Sequence, residues 1–225
     1  MELSERSGAS DLSGADNTQY LWTHNDGGGK NVLLKIDMKG KSQGVITIPN
    51  TSNIDWEDLA KDDKGYIYIG DFGNNNNQRK NLRIYKFKEI QPGPFEGVQN
   101  FEPLRLKVDT ISFSYADQKA FPPQKKFRNY DCEAFFWHRQ KLFLFTKNRG
   151  NKYVKMYFLP DKPGFYIAEL IDSIHINTMI TAADISPDGK LVALLGYGKI
   201  YLFDVGRIGV QNFEPLSVLH YCLKI

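Results

Sequence analysis

Short apolar segments alternate with turn-forming residues along nearly the whole chain, and this pattern constrains the fold more than any other feature. The segments are about four to six residues long, as in Val32–Ile36, Tyr66–Ile69 and Leu142–Phe145. Turns rich in Gly, Asp, Asn and Pro separate them, as at 62–65 and 187–189. No long segment has the apolar period of an amphipathic helix. Many short strands at near-regular spacing predict an all-β sandwich, barrel or propeller.

The composition agrees with a strand-rich chain and argues against two classes of protein. The 225 residues include 15 Phe, 12 Tyr, 19 Gly and 10 Pro, and aromatic residues favour strands whereas Gly and Pro favour turns. The net charge of +3 is too small to indicate general binding to nucleic acid. No apolar run approaches the ~18 residues of a membrane helix, so we expect no membrane span.

Weak internal repeats favour a propeller over a sandwich. Asn53–Ala60 contains an Asp-x-Glu motif and precedes a turn and an apolar strand, and Asn129–Phe136 does the same. The motifs lie 76 residues apart, or two units of about 38, close to the ~40–45 residues of a four-stranded propeller blade. The sequence therefore predicts a single propeller domain over residues 1–225, built from four-stranded antiparallel blades.

A third copy of the repeat, Met179–Ser186, lacks the acids. Its alignment with the second unit puts Thr181 at the position of Asp55, and Ala183 at that of Glu57.

Blade geometry predicts where the polar residues of the repeats converge. The first strand of a blade lines the central channel and runs antiparallel to the second, so its start lies beside the end of the second strand. Alternation along a strand points Asp55 and Glu57 the same way and Trp56 the other way. The residues expected together at one mouth of the channel are His24, Asn25, Asp26, Asp55, Glu57, Asp71, Asn74, Asp131, Glu133, Thr146, Lys147, Asn148, Thr181 and Asp184.

These residues are mainly hard oxygen donors, and crowded carboxylates repel one another unless a cation or protons intervene. Ca²⁺ accepts about six to eight oxygen ligands in loose geometry, whereas Mg²⁺ demands a tighter octahedron. Zinc prefers Cys and His, which are sparse here. We therefore predict a site for a divalent cation, Ca²⁺ before others. Its predicted ligands are Glu57 and Glu133, helped by Asp55, Asp131, Asp71, Asn25 and Asn148.

Each assignment has a structural alternative. Asp residues at strand starts and turns often accept backbone N–H bonds and do nothing more, which stays open for Asp55 and Asp131. His24 is either a hydrogen-bonded structural imidazole or a base. Lys147 either pairs with a channel carboxylate or holds an anionic substrate. The acids expected to act only as backbone acceptors are Asp58, Asp62, Asp63 and Asp188.

Two further features carry no site prediction. The segment 97–104 recurs residue for residue at 209–216, and we expect both copies to lead into equivalent outer strands. The basic stretch Gln124–Arg128 and the one at Lys147–Lys155 are interpreted as solvated loops.

Six short motifs are more specific in combination than any of them is alone. They are Leu21–Gly28, Asp55–Ala60, Gly70–Asn75, Asp131–Phe136, Thr146–Asn148 and Thr181–Gly189. In this combination, over about residues 1–206, the chain resembles a family of uncharacterised bacterial six-bladed β-propeller proteins common in Bacteroidetes-like genomes. The resemblance implies six blades. That family is similar in architecture to calcium-binding propellers of the lactonase and phytase-like type.

The resemblance also implies a cellular location and a missing segment. Family members often carry export signals, which implies a periplasmic, cell-surface or extracellular location. The start of this chain has no signal peptide, so a cytoplasmic location stays open. The family pattern continues past His220 into another inner strand, whereas this chain ends at Ile225. We therefore expect a truncated propeller of about five blades with an open ring.

Cys132 and Cys222 are expected to be buried free thiols, with a disulfide as the alternative.

Three functions are compatible with these features. In the first, a propeller of unknown biological role binds a divalent cation at the channel mouth, structurally or together with a small-molecule or protein ligand. The second is a metal-dependent hydrolase of phosphoesters or lactones, in which His24 or a carboxylate is the base and Lys147 holds the anion. The third is a non-catalytic scaffold that binds a protein or glycan through exposed aromatic side chains.

Overall fold

The structure is a computed structural model that describes residues 20–90, 106–207 and 215–220, together with the backbone of residues 6–10. Within these ranges the chain is all-β, as predicted, with sixteen strands, two short 3-10 helices (Lys125–Phe127 and Val205–Arg207) and no α-helix. Among the described residues, none forms a helix with the length and apolar character of a membrane span.

The strands follow one another in four groups of four. The first group is β1 (Arg6–Ser10), β2 (Tyr20–Asn25), β3 (Val32–Asp37) and β4 (Ser42–Thr47). The second group is β5 (Trp56–Lys61), β6 (Tyr66–Asp71), β7 (Leu82–Lys88) and β8 (Val108–Tyr115). The third group is β9 (Asp131–His138), β10 (Lys141–Lys147), β11 (Tyr153–Pro160) and β12 (Gly164–His175). The fourth group is β13 (Ile180–Ile185), β14 (Leu191–Gly196), β15 (Lys199–Asp204) and β16 (Ser217–His220).

Each group is an antiparallel meander, but the second and third groups share one eight-stranded sheet in the order β5-β6-β7-β8-β12-β11-β10-β9. The link is a parallel pairing of Ile111–Tyr115 in β8 with 164–168 in β12. It differs from the separate antiparallel blades that the sequence predicts. The reason is the length of β12: its second half pairs with β11, so its first half offers a free edge to β8.

The edge strands of the eight-stranded sheet, β5 and β9, lie side by side, which makes this sheet barrel-like and nearly closed. Strand β1 lies against β5, and β13 lies against β9. The first strands of all four groups are therefore neighbours in space. This arrangement brings residues from distant parts of the chain together.

Three apolar cores fill the spaces between successive groups of strands. Alternation along β9 illustrates how: Phe135 packs with Phe72 of the second group, whereas Phe136 packs with Val192 of the fourth. The core between the first and second groups contains Trp22, Leu33, Trp56 and Ile67. The second and third groups thus bury both of their faces, whereas the first and fourth groups each contribute to one core.

One residue is inserted at the same point in the first strand of every group. The pairing of the first strand with the second skips Gly8, Glu57, Glu133 and Thr181. Such β-bulges change the direction of a side chain and increase the local twist. Glu57 and Glu133 thus occupy equivalent bulges, as their spacing predicts.

The predicted alignment of the third copy is wrong by two residues. Thr181, not Ala183, occupies the position of Glu57. The turn after each bulge supports this alignment. Gly65 N donates to Asp62 O, five residues after Glu57, and Gly189 N donates to Ser186 O, five residues after Thr181. The alignment from the sequence pairs Asp184 with Asp58 because both are aspartates, and this choice displaces the third copy by two residues.

Several predictions concern residues outside the described ranges. Of the repeated segments, 97–104 and 209–214 lie outside them, but the strands that follow the two copies, β8 and β16, are both the fourth of their group, which confirms the predicted equivalence. Cys132 is a buried free thiol, and Cys222 lies outside the described residues. The single domain over residues 1–225, the number of blades and the truncation stay predictions.

Candidate functional site

Five carboxylates converge where β5 and β9 begin. The ligand oxygens of Asp26, Asp55 and Glu57 lie within 4.8 Å of one another, and so do those of Glu57, Asp131 and Glu133. Glu57 belongs to both groups. Asp26 follows β2, Asp55 precedes β5 and Asp131 begins β9. Hairpin geometry places these residues at the same end of their groups, and the adjacency of the first strands brings them together.

Two glycines allow the backbone to approach these acids closely. A Cβ atom at Gly73 would lie 2.1 Å from Glu57 Oε1 and 2.5 Å from Asp55 Oδ2. A Cβ atom at Gly27 would lie 2.2 Å from Asp55 Oδ1. Any side chain at either position would overlap a carboxylate, so both glycines are needed for the present positions of the acids.

The carboxylates on the β9 side already have cationic partners. Lys147 Nζ donates to Glu133 Oε2 at 2.7 Å, which is the first of the two roles expected for this lysine. Arg149 Nε donates to Asp131 Oδ2 at 2.6 Å, and its Nη2 lies 3.6 Å from Glu133 Oε1. The backbone N–H of Asn74 donates to Asp131 Oδ1 at 2.6 Å. These bonds compensate part of the negative charge on this side, although burial, followed by the charge of Asp131, still raises the pKa of Glu133 to about 8.

Asp71, a predicted ligand, has a different set of partners. Its Oδ1 accepts hydrogen bonds from Arg79 Nη2 at 3.0 Å and from Asp55 N at 3.1 Å. Its Oδ2 lies 3.7 Å from Arg83 Nε. Arg79 also donates to the carbonyl of Gly73 at 2.7 Å, so this ion pair holds the turn against the acids. Asp71 lies outside both groups of candidate ligands.

The carboxylates on the β5 side have no such compensation. Within the described residues, no hydrogen bond or ion pair reaches the carboxylate of Asp55 or Glu57. Burial, followed by the charge of Asp131, raises the pKa of Asp55 to about 6. Burial, followed by the charge of Glu133, raises the pKa of Glu57 far above its usual range. We call Asp26, Asp55 and Glu57 the open triad.

Two predicted amide ligands each have an unused oxygen. Asn25 Oδ1 and Asn148 Oδ1 are buried atoms that accept no hydrogen bond within the described residues. Asn25 precedes Asp26 in the chain, and Asn148 Nδ2 donates to Ile176 O at 2.7 Å. A buried carbonyl oxygen without a donor is costly unless a ligand or water contacts it.

His24 is a buried residue that packs in the core. Its side chain is fully buried, its ring meets that of Trp56 edge to face at 5.8 Å, and its Nδ1 lies 2.8 Å from Asn25 O. Burial lowers its pKa to about 4. The register makes His24 equivalent to Asp71 and Thr146, which are also fully buried.

The remaining predicted mouth residues have structural partners or lie apart. Asn74 binds Arg79 and Tyr130, and Thr146 Oγ1 accepts from Lys155 N. Thr181 donates to Leu195 O at 3.5 Å. Asp184 is exposed.

Asp58 has a larger role than a turn acceptor. This buried carboxylate accepts hydrogen bonds from Leu59 N at 2.9 Å and Phe135 N at 3.1 Å, and from the backbone of Ala183. It therefore joins β5, β9 and β13. Burial raises its pKa well above the usual range.

Sequence reasoning missed Arg149, Arg79 and the two glycines, and it counted Asp26 among the mouth residues without naming it a ligand. Arg149 lies two residues after Lys147, so continuing the Thr-Lys-Asn motif by one position would have found it.

Comparison of the chain with protein-family models and with curated proteins finds no match. The resemblance to bacterial propellers therefore stays a prediction.

Proposed function

We propose that this protein is a β-propeller that binds a divalent cation, Ca²⁺ before others, through the open triad. The proposal for the fold is supported by the four successive antiparallel groups and by the adjacency of their first strands. In a propeller these strands surround the central axis. The eight-stranded sheet would then be two blades joined at their outer edges.

The observation that carries the cation proposal is that, within the described residues, no cation forms a hydrogen bond or ion pair with the carboxylate of Asp55 or Glu57. Three carboxylates within 4.8 Å of one another repel strongly when they are ionised and partly buried. Protons or a metal ion must relieve this repulsion. A cation at the open triad would do so at neutral pH. The pKa values of Asp55 and Glu57 are raised first by burial and then by neighbouring carboxylates, which agrees with this need.

The donor set favours a hard cation. Every candidate ligand is an oxygen, and ligand separations up to 4.8 Å are compatible with Ca–O distances of about 2.3–2.6 Å. The unused oxygen of Asn25, which precedes Asp26 in the chain, would be a neutral additional ligand, whereas Asn148 bonds to Ile176 on the other side of the cluster. The buried Cys132 hydrogen-bonds the carbonyl of Phe145 and belongs to the core, so no thiol of the described residues competes.

Binding is better supported than hydrolysis. Lys147 and Arg149 lie next to the acids, where they would contact an anionic substrate, and this favours a metal-dependent hydrolase as the second candidate. Both cations are engaged by Glu133 and Asp131, however, and His24 is enclosed in the core. A carboxylate would have to be the base. Hydrolysis of phosphoester or lactone substrates that EDTA abolishes would support this second function.

Titration calorimetry of the EDTA-treated protein with Ca²⁺ and with Mg²⁺ tests the proposal. We expect Ca²⁺ to bind with one site and Glu57→Gln to abolish binding, because it removes a charge shared by both groups of acids. Asp188→Asn, at an exposed turn, is the matched control and should bind normally. Absence of Ca²⁺ binding to the unmodified chain, or normal binding by Glu57→Gln, would overturn the proposal.

A further inference from the structure

A cavity of about 390 Å³ lies beside the loop that connects β8 to β9. It is formed by loop residues between Asp117 and Tyr130 together with Asn151 and Lys155, and we call it the loop pocket. Its volume falls within the ~300–1,000 Å³ of ligand pockets. The structure thus brings together two basic stretches that the sequence suggests are separate solvated loops.

The loop is held in place by internal hydrogen bonds. The buried Gln118 donates from Nε2 to Asn77 O at 3.0 Å, and Ala116 N donates to Ala168 O at 3.2 Å. Arg128 Nε donates to Pro123 O at 3.3 Å. A pocket whose walls are already fixed loses little conformational entropy when it binds a ligand.

The single carboxylate that lines the loop pocket is satisfied within the protein. Asp117 Oδ1 accepts from Tyr157 OH at 2.8 Å, and Oδ2 accepts from Tyr130 OH at 3.3 Å. Lys155 Nζ also donates to Oδ2 and lies 4.0 Å from the centre of the Tyr130 ring. Asp117 and Lys155 therefore neutralise each other at the more buried end of the pocket.

The other charges around the pocket are positive and have no acidic partner. Lys119 lines the pocket and donates to the carbonyl of Ala116. Lys125, Lys126 and Arg128 follow in the same loop. No ion pair joins any of these four cations to an acid within the described part of the chain. The pocket therefore favours an anionic ligand.

The remaining lining suits a ring that carries hydroxyl groups. Phe127 lines the pocket with 52% of its surface exposed. Lys126 Nζ lies over its ring at 4.9 Å from the centre, which leaves the opposite face for contact with a flat ligand face. The side-chain amide of Gln124 and the Nδ2 group of Asn151 make no hydrogen bond within the described residues. Such groups can donate to ligand oxygens.

We propose that the loop pocket binds an acidic monosaccharide, a pyranose ring bearing a carboxylate or a phosphate. The apolar face of the ring packs on Phe127, its hydroxyl groups accept from Gln124 and Asn151, and its anionic group lies near Lys119. This site is separate from the open triad and needs no metal.

Calorimetric and saturation-transfer NMR titrations of the full chain in EDTA test this proposal. The probes are glucuronate, galacturonate, glucose 6-phosphate, glucose and inorganic phosphate. We expect at least one anionic sugar to bind, with glucose and phosphate at least about tenfold weaker, because each offers only part of the recognised chemistry. Binding by the uronates alone or by the sugar phosphate alone would identify the anionic group and support the proposal.

Exposed side chains supply the variants, so folding is not at risk. Phe127→Ala should weaken binding about five- to tenfold through lost apolar contact, and Lys119→Ala about two- to fivefold. Lys41→Ala, an exposed lysine in the β3–β4 turn, is the control and should leave binding unchanged. The proposal is overturned if no anionic sugar binds, if glucose or phosphate binds equally well, or if Phe127→Ala has no effect.

Discussion

Glu57 and Glu133 occupy equivalent β-bulges in equivalent strands, yet their surroundings differ. Glu133 accepts a hydrogen bond from Lys147 and lies within ion-pair distance of Arg149. Glu57 has no cationic partner within the described residues. The same Asp-x-Glu motif therefore builds a compensated side and an uncompensated side of one cluster.

The difference comes from the end of the second strand rather than from the motif. The register makes Phe72 equivalent to Lys147, and Asn74 equivalent to Arg149. Phe72 is buried in a core against Phe135, so the second group of strands uses these positions for packing. The third group uses them for charge. Two units of a repeat can therefore carry the same acids in the first strand, while the residues after the second strand determine whether those acids have cationic partners.

The largest expected effect follows from removing the compensation at Glu133. Lys147→Met keeps the length of the side chain but leaves a buried carboxylate without its nearest cation. We expect the free energy of unfolding, measured by urea denaturation in EDTA, to fall by about 3 kcal/mol. Lys190→Met removes an exposed ion pair with Asp188 and should cost less than about 1 kcal/mol. Equal losses in the two variants would contradict the role of Lys147.

A smaller effect compares the two glutamates directly. Glu57→Gln replaces a carboxyl group whose pKa is raised so far that the folded state must hold a proton there, whereas Glu133→Gln weakens the bond to Lys147. In EDTA at pH 8 we expect the Glu57→Gln protein to be the more stable of the two by about 1 kcal/mol, or ~2–4 °C in Tm. Differential scanning calorimetry measures this difference. Equal Tm values, or the reverse order, would show that the two sides are not electrostatically distinct.

The strands could be predicted from the sequence because they depend on local patterns, and the convergence of the acids followed from the radial blade geometry that the repeats suggest. Apolar runs and turn residues give the hairpins, and hairpin geometry places Asp131 opposite Lys147 and Trp56 opposite Asp71. Alternation along the strand puts Trp56 in a core and Asp55 beside Glu57.

The parts that could not be predicted depend on contacts between distant segments. The parallel pairing of β8 with β12 arises because β12 extends past β11, and no local pattern specifies the partner of a free edge. The equivalence of Thr181 with Glu57 is visible only in the pairing of the first strand with the second. Whether a carboxylate is neutralised depends on where the side chain of Arg149 lies, and loops set its position.

The smallest expected effect is a change of stability with pH. A bound cation should remove this change. The folded pKa of Asp55 is about 6, above its ordinary value of 3.8, so between these values the folded state holds more protons than the unfolded state. Stability is then greatest below about pH 4 and is lost as the pH rises through about 6. Glu57, whose pKa is raised further by burial and then by Glu133, extends the loss to higher pH. In EDTA, Tm should fall by about 2 °C per pH unit from pH 5 to 7, since the lowered pKa of His24 opposes part of the loss. Asp55→Asn should make this slope shallower below about pH 6. Excess Ca²⁺ should flatten it too, because the ion replaces the protons; a slope unchanged by Ca²⁺ would show that the uncompensated side of the cluster is relieved by protons alone.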